Sequence, residues 1–415
     1  MAVASSLSSA SSLSSIEASG PIKPQVDMQA VQAYRLGRVR EVMRAKGVAL
    51  AVLANPISQR YASEHRQFSI FQTRMPFCYL LVPVEGPLVM HGTYMSSSEQ
   101  IHAFRPARYR NIFDAGLDLT EQGRHLAQEI EGFLAETGLS SSYPRIACDR
   151  LNPSAAASLM QAGFELVDAE TLVEQARIIK SAEEIELMRY AIAVAEEGMR
   201  AMETALQPGM TENELLSYLH RTNTAYDGEW FECRILTSGY RTNPWYREAS
   251  DKVIKAGELV AFDTDMVGPF GYCADISRTW LCGDEDPSDE QRALYRHAYD
   301  EVHANIELLQ PGRSFLEISQ GAFLRRPDCI AHRYTCLTHG VGMSDEYPKI
   351  PYQEDWDDCG YDGLIEPGMV FSVESFTGSD RGGEGVKLEQ MVQVTESGPE
   401  LLSSYPFDTR LLADS

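Results

Sequence analysis

The tetrapeptide LQPG occurs twice, at 206–209 and at 309–312, each time between two helix-like stretches. "LQPGMTENEL" follows the long pattern beginning at Ser181, and "LQPGRSFLEI" follows a second such pattern further along the chain. Ser181 with Glu184, and Thr211 with Glu214, have the S/T-x-x-E spacing of a capping box, so helices are expected to start just after Ser181 and Thr211. A Pro-Gly pair does not continue a helix, so each copy reads as helix, break, helix. Two copies of one helical unit predict a C-terminal domain built from two related halves.

Between the copies lies "AFDTDMVGPFGYCADISRTW", residues 261–280, two apolar strand-like arms around a Gly-Pro turn. It carries Asp263, Asp265 and Asp275. On a strand, Asp263 and Asp265 would share one face, and Asp275 lies on the returning arm. Three converging carboxylates repel each other unless a cation sits among them; the alternative is a solvated acidic hairpin. Three further segments bear on that choice. "CLTHGVGMSDEYP" contributes His339, "EPGMVFSVES" Glu374 and "GVKLEQMVQV" Glu389, each among apolar neighbours. Singly, such a histidine reads as a satisfied core residue, whereas a buried glutamate needs a partner. Together, five carboxylates and one imidazole suit two divalent ions of the manganese, iron, cobalt or zinc type. The lack of sulfur ligands argues against a closed structural zinc site.

The region before the repeats alternates helix and strand. A helical pattern from about residue 28 ends at Gly47. A buried-strand run "VALAVLANP", a hairpin "FCYLLVPVEGPLVMHG" and an amphipathic helix over 119–137 follow. The chain is therefore expected to be α/β. A Ser-rich tail over 1–27, disordered, would precede an N-terminal domain over 28–170 and a catalytic domain over 175–415, with the boundary between 168 and 180. A net charge of −24 argues against nucleic acid or an anionic membrane as partner. No apolar run approaches the ~20 residues of a membrane span. The N-terminus lacks the basic start and long apolar core of a secretory signal. Eight scattered cysteines without a C-x-x-C pair suit free thiols in a reducing cytoplasm.

The order Asp…Asp…His…Glu…Glu, with "HGVG" at the histidine and "EPGMVFSVE" before the first glutamate, resembles the pita-bread metalloenzymes. Methionine aminopeptidases, prolidases and creatinases belong to that group, and residues 30–170 resemble the N-terminal domain of its prolidase/creatinase branch. The resemblance implies a creatinase-like α/β domain followed by a pita-bread catalytic domain. It implies Asp265, Asp275, His339, Glu374 and Glu389 as metal ligands, and a homodimer whose N-terminal domain helps shape the active site. The peptidases of the group carry two further histidines that move protons. One lies seven residues after the ligand histidine, where this chain has Glu346, preceded by Asp345 at the sixth. The other lies upstream of the aspartate hairpin, where "GEWFECRILTSGYRTNPWYREAS" contains none. Asp265 and Asp275 are ten apart rather than eleven, and Asp263, twelve before Asp275, can serve as an extra ligand.

That combination, with "SGYRTNPW", "FDTDMVG", "DISRTW", "HGVGMSDEYP" and a late "YPFD", is similar to the DddP-type dimethylsulfoniopropionate lyases. This resemblance implies that Asp263, Asp265, Asp275, His339, Glu374 and Glu389 hold two metals, iron foremost. It also implies that Asp345 is the base, that Tyr334 lies in the substrate pocket and that the partner is a small zwitterionic substrate. From the residues alone, Asp345 fits a turn or helix cap equally well. Trp245 and Tyr334 are the aromatics expected to face a sulfonium, chosen from a set that also holds Trp230, Phe231, Tyr246 and Tyr347; core packing is the competing role. Arg241 and Arg278 could pair with ligand carboxylates. Three functions compete: a carbon–sulfur lyase, a dimetal hydrolase of a C–N bond, and a binding module that has lost its metals. The missing histidines count against the second, and the complete ligand set counts against the third.

Overall fold

The computed structural model describes residues 20–66, 69–92, 100–109, 116–139 and 145–413. Most of the expected Ser-rich tail, residues 1–19, lies outside the described residues. The N-terminal half contains helices α1 (Met28–Ala45), α2 (Pro56–Ser63), α3 (Ser69–Arg74), α4 (Thr120–Glu136), α5 (Pro153–Gln161) and α6 (Ala169–Arg177). They surround a six-stranded sheet of order β4-β3-β2-β1-β5-β6. Its strands are β1 (Leu50–Leu53), β2 (Tyr79–Pro83), β3 (Leu88–His91), β4 (Ile101–Arg105), β5 (Arg145–Cys148) and β6 (Glu165–Asp168). Strand β1 sits inside the sheet with both faces covered, which is why "LAVL" is apolar at every position. Helix α1 starts at Asp27, whose side chain accepts from the Gln29 and Ala30 amides, and buries Val31, Arg35, Val39 and Met43 at four-residue steps.

The C-terminal half carries the duplicated unit. Helices α7 (Ala182–Ala205) and α8 (Glu212–Ala225) flank the first LQPG, and α9 (Asp289–Ile306) and α10 (Phe315–Gly321) flank the second. Both expected capping boxes form, at Ser181/Glu184 and Thr211/Glu214, and α10 has its own at Ser314/Glu317. The glycine of each LQPG turns in the left-handed region, Gly209 at φ +99° and Gly312 at φ +81°, where a side chain would be strained. The halves are not equal copies, since α8 has 14 residues and α10 only 7. Replacing Thr211 by alanine removes the α8 cap; we expect a loss of about 1 kcal/mol in denaturant unfolding with activity retained.

Three sheets complete this half. One has the order β11-β10-β7, from β7 (Trp230–Phe231), β10 (Met266–Val267) and β11 (Cys273–Ala274). The next has the order β12-β9-β8, from β8 (Leu236–Ser238), β9 (Leu259–Asp263) and β12 (Ser277–Leu281). The largest has the order β14-β13-β15-β16-β17, from β13 (Thr338–Val341), β14 (Asp345–Ile350), β15 (Val370–Gly378), β16 (Gly385–Thr395) and β17 (Gly398–Leu401). The fold class is α/β, as expected. No helix among the described residues is long and apolar enough to cross a membrane.

The halves meet at a buried arginine. Arg35 of α1 reaches Glu184 of α7 at 3.0 Å, Glu64 at 2.7 Å and the Tyr272 hydroxyl at 2.7 Å. Tyr272 lies in the turn of the aspartate hairpin and also donates to Glu184, so α1 braces the element that carries the carboxylates.

Candidate metal centre

Strand pairing brings the expected ligands together. In the β9–β12 ladder Asp263 lies opposite Ser277, and in the β15–β16 ladder Glu374 lies opposite Glu389. His339 is on β13, the other neighbour of β15. One ligand atom each from Asp275, His339, Glu374 and Glu389 fall within 4.8 Å of one another, and so do atoms of Asp263, Asp265 and Asp275. Asp275 belongs to both groups and can bridge them. The two near aspartates do not meet by simple strand alternation. Strand β9 ends at Asp263, and Asp265 takes a left-handed φ of +34° while its carboxylate accepts from the Cys233 thiol. A local backbone excursion, not the two-residue repeat, turns Asp265 to the cluster.

The donors are arranged for cations. The carboxylate oxygens Asp263 Oδ1, Asp275 Oδ1 and Glu389 Oε1 are buried with no hydrogen-bond partner. Buried acceptors left unpaired are costly, so three in one cluster fit ligand atoms. His339 Nδ1 lies 3.0 Å from the Gly340 carbonyl and donates to it, which leaves Nε2 as the nitrogen a metal would take. Nε2 points at Glu374 Oε1 (3.2 Å) and Asp275 Oδ2 (3.5 Å). Burial, and then the neighbouring carboxylates, push the pKa values of Asp265 and Asp275 well up, the signature of negative charges packed without their counter-ions.

One residue in the cluster was absent from the expected set. Lys387 is fully buried, and its Nζ lies 2.6 Å from Glu374 Oε2, 3.1 Å from Asp263 Oδ2, 3.3 Å from Glu389 Oε2 and 2.7 Å from Ser277 Oγ. It takes one oxygen from each of three carboxylates and leaves the other for a metal. Burial alone would lower its pKa, but Asp263, Glu374 and Glu389 hold it well above the usual lysine value, so it is an ammonium. Trp245 and Tyr334 both flank this lysine, with Nζ 4.7 Å from the Tyr334 ring centroid and 5.7 Å from that of Trp245. Tyr246 stacks behind Tyr334 at 5.5 Å, and Phe376 stacks on Trp245 at 5.7 Å.

Asp345 opens β14 and caps no helix. Strand alternation splits the Asp-Glu pair. Glu346 is buried against Arg177 (3.0 Å) and Lys180, whereas Asp345 is reached by solvent beside the cluster. Its surroundings raise the pKa of Asp345: desolvation first, then Glu389 and Asp263, against the lowering pull of His339. Glu232 is the other acid here. Desolvation and then Asp345 push it up to about 7.

Comparison with known proteins follows the same lines. Residues 186–396 match metallopeptidase family M24, and residues 35–179 match the creatinase/prolidase N-terminal domain. Two relatives named dimethylsulfoniopropionate lyase DddP, from Roseovarius nubinhibens and Roseobacter denitrificans, are 33% and 32% identical. Each alignment covers 93% of this chain and 88% of the relative. The chain is a DddP-type member of metallopeptidase family M24. An Xaa-Pro dipeptidase from Bacillus anthracis shares the fold, with a TM-score of 0.72 at 21% identity over 91% of this chain and 99% of its own.

Membership of M24 implies divalent metal ions, and the donor set described above fits them. In this DddP-type chain the two arginines do not reach ligand carboxylates. Arg241 binds Glu212, and Arg278 donates to backbone carbonyls, including that of Glu389, and to Gln390. Tyr347 stacks on Tyr361 at 5.6 Å, a packing role. Lys387 had one signal in the sequence: it stands two residues before Glu389 on one strand, hence on the ligand's face.

Proposed function

We propose that this chain is a metal-dependent lyase that cleaves dimethylsulfoniopropionate into dimethyl sulfide and acrylate. Asp263, Asp265, Asp275, His339, Glu374 and Glu389 would hold two divalent ions, iron foremost, with manganese, zinc or cobalt as alternatives. When bound, they supply Lewis acidity that offsets the substrate carboxylate and the negative charge that grows on it as the α C–H bond breaks. The observation that carries the reading is Asp345, a solvent-reached carboxylate next to the ligand cluster, in the segment where peptidases of the group carry a histidine. Asp345 takes the α proton, the C–H electron pair becomes the new C=C bond, and the Cβ–S pair leaves on sulfur as dimethyl sulfide. Tyr334 and Trp245 wall the site on the lysine side. The names of the two DddP relatives support the same substrate. The enzyme works as a cytoplasmic homodimer in this reading.

The test is headspace dimethyl sulfide and dissolved acrylate after adding the substrate to purified metal-replete protein, against a boiled control. We expect the two products in equal amounts. Hydrolysis of an Xaa-Pro dipeptide with no sulfide release would replace this reading with the C–N hydrolase.

A further inference from the structure

The two rings expected to receive a substrate cation already face one, the Lys387 ammonium. A sulfonium placed on the same faces would meet that charge. A second acid, without an ion-pair partner, stands near Asp345. The Glu232 carboxylate makes no hydrogen bond or ion pair to another described residue, and Asp345, Arg177 and His339 are the charged groups that act on it most. Arg177 is already held by Glu174 and Glu346. The Glu232 amide donates to the Asp265 carbonyl at 2.9 Å, which fixes this segment against the aspartate hairpin.

Glu232 lines a pocket between α2 and the catalytic half, together with Ile57, Arg60, Trp230, Val267 and Met343. Met343 lies two residues before Asp345 in the same turn. Arg60 on this wall is paired with Glu229 at 3.1 Å and with Glu64 at 2.9 Å, so its charge is spent locally. The pocket thus offers one carboxylate without an ion-pair partner and one indole ring. Glu232 stands near both Asp345 and the ligand cluster. A substrate that is an anion at one end, a weak C–H acid in the middle and a cation at the other end has a group for each of the three.

Resting on the lyase reading, we infer that Glu232, with the face of Trp230, forms the subsite for the cationic end of the substrate, a sulfonium or quaternary ammonium group. A carboxylate and an aromatic face both attract such a group when water is excluded. The subsite selects the cation, and the metal side selects the carboxylate.

The test compares two ligands by calorimetry on metal-replete protein: the trimethylammonium analogue of the substrate and its uncharged tert-butyl isostere. Neither carries a sulfonium leaving group, so the comparison reads binding alone. Wild type should prefer the cation by about tenfold or more. Glu232→Gln should abolish that preference while metal content and affinity for the isostere stay unchanged. Glu232→Asp, which keeps the charge on a shorter stem, should fall between the two and serves if the glutamine variant does not fold. Equal binding of both ligands by wild type, or a preference that survives in folded Glu232→Gln, overturns the subsite. Cation preference without sulfide release would instead sink the lyase reading and leave the subsite standing.

Discussion

Asp345→Ala lowers kcat for sulfide release by about 10²–10⁴-fold, the range a positioned general base supplies, and leaves the bound metal where it was. The expectation comes from how β14 begins. Asp345 contributes to neither group of clustered ligand atoms, so its removal takes away a proton acceptor and no metal donor. Its neighbour Glu346 points the other way and holds Arg177 and Lys180, so the strand keeps its anchor. Asp345→Asn is the sharper variant, because it preserves shape and hydrogen bonding and removes only basicity. Both should match wild type in metal content by mass spectrometry and in thermal unfolding. A variant that keeps at least a tenth of wild-type kcat would assign the proton to another group and return Asp345 to the role of a turn residue.

Lys387→Met should have the largest effect on stability, and the effect should depend on metal. Five clustered carboxylates, Asp263, Asp265, Asp275, Glu374 and Glu389, together with the Lys387 ammonium leave four negative charges, the number two divalent ions neutralise. Without the lysine, three buried carboxylate oxygens lose their donor. Removing one partner of a buried charge cluster costs about 3–5 kcal/mol. Denaturant unfolding of metal-free protein should show a loss of that size. With metals bound, part of the lost cationic charge is already replaced and the loss should shrink. An equal loss with and without metal would make Lys387 a packing residue and nothing more.

What the chain discloses before folding follows from how local the cause is. The capping boxes at Ser181 and Thr211, the two LQPG breaks and the hairpin turn at Gly268–Gly271 are set by neighbours within a few residues, and all are where their patterns place them. The clustering of these acids and His339 was legible because acids and a histidine in apolar runs need partners. Lys387 was hidden because lysine is a surface residue by type, and its burial arises only when β9 and β15 bring Asp263 and Glu374 to it. The orientation of Asp265 was hidden for a similar reason, since it depends on Cys233 from the loop between β7 and β8. The rings of Trp245 and Tyr334 were legible as aromatic, but which cation they face is a property of the assembled sheets. Glu232 is legible only as one acid among many until the pocket around it exists.

The arginine on α1 bears on how such a chain can be inherited. Arg35 has no exposed surface and Glu184 almost none, so the catalytic half keeps a buried acid whose counter-charge is encoded some 150 residues earlier, a separation of 149 positions. Separating the halves would leave Glu184 without its arginine, while Arg35 kept only Glu64. The amino-terminal region is therefore not a detachable accessory that recombination could trade for another module of similar shape. Any lineage that exchanged it would need to carry an arginine at the same helical position, or to lose Glu184 in the same step.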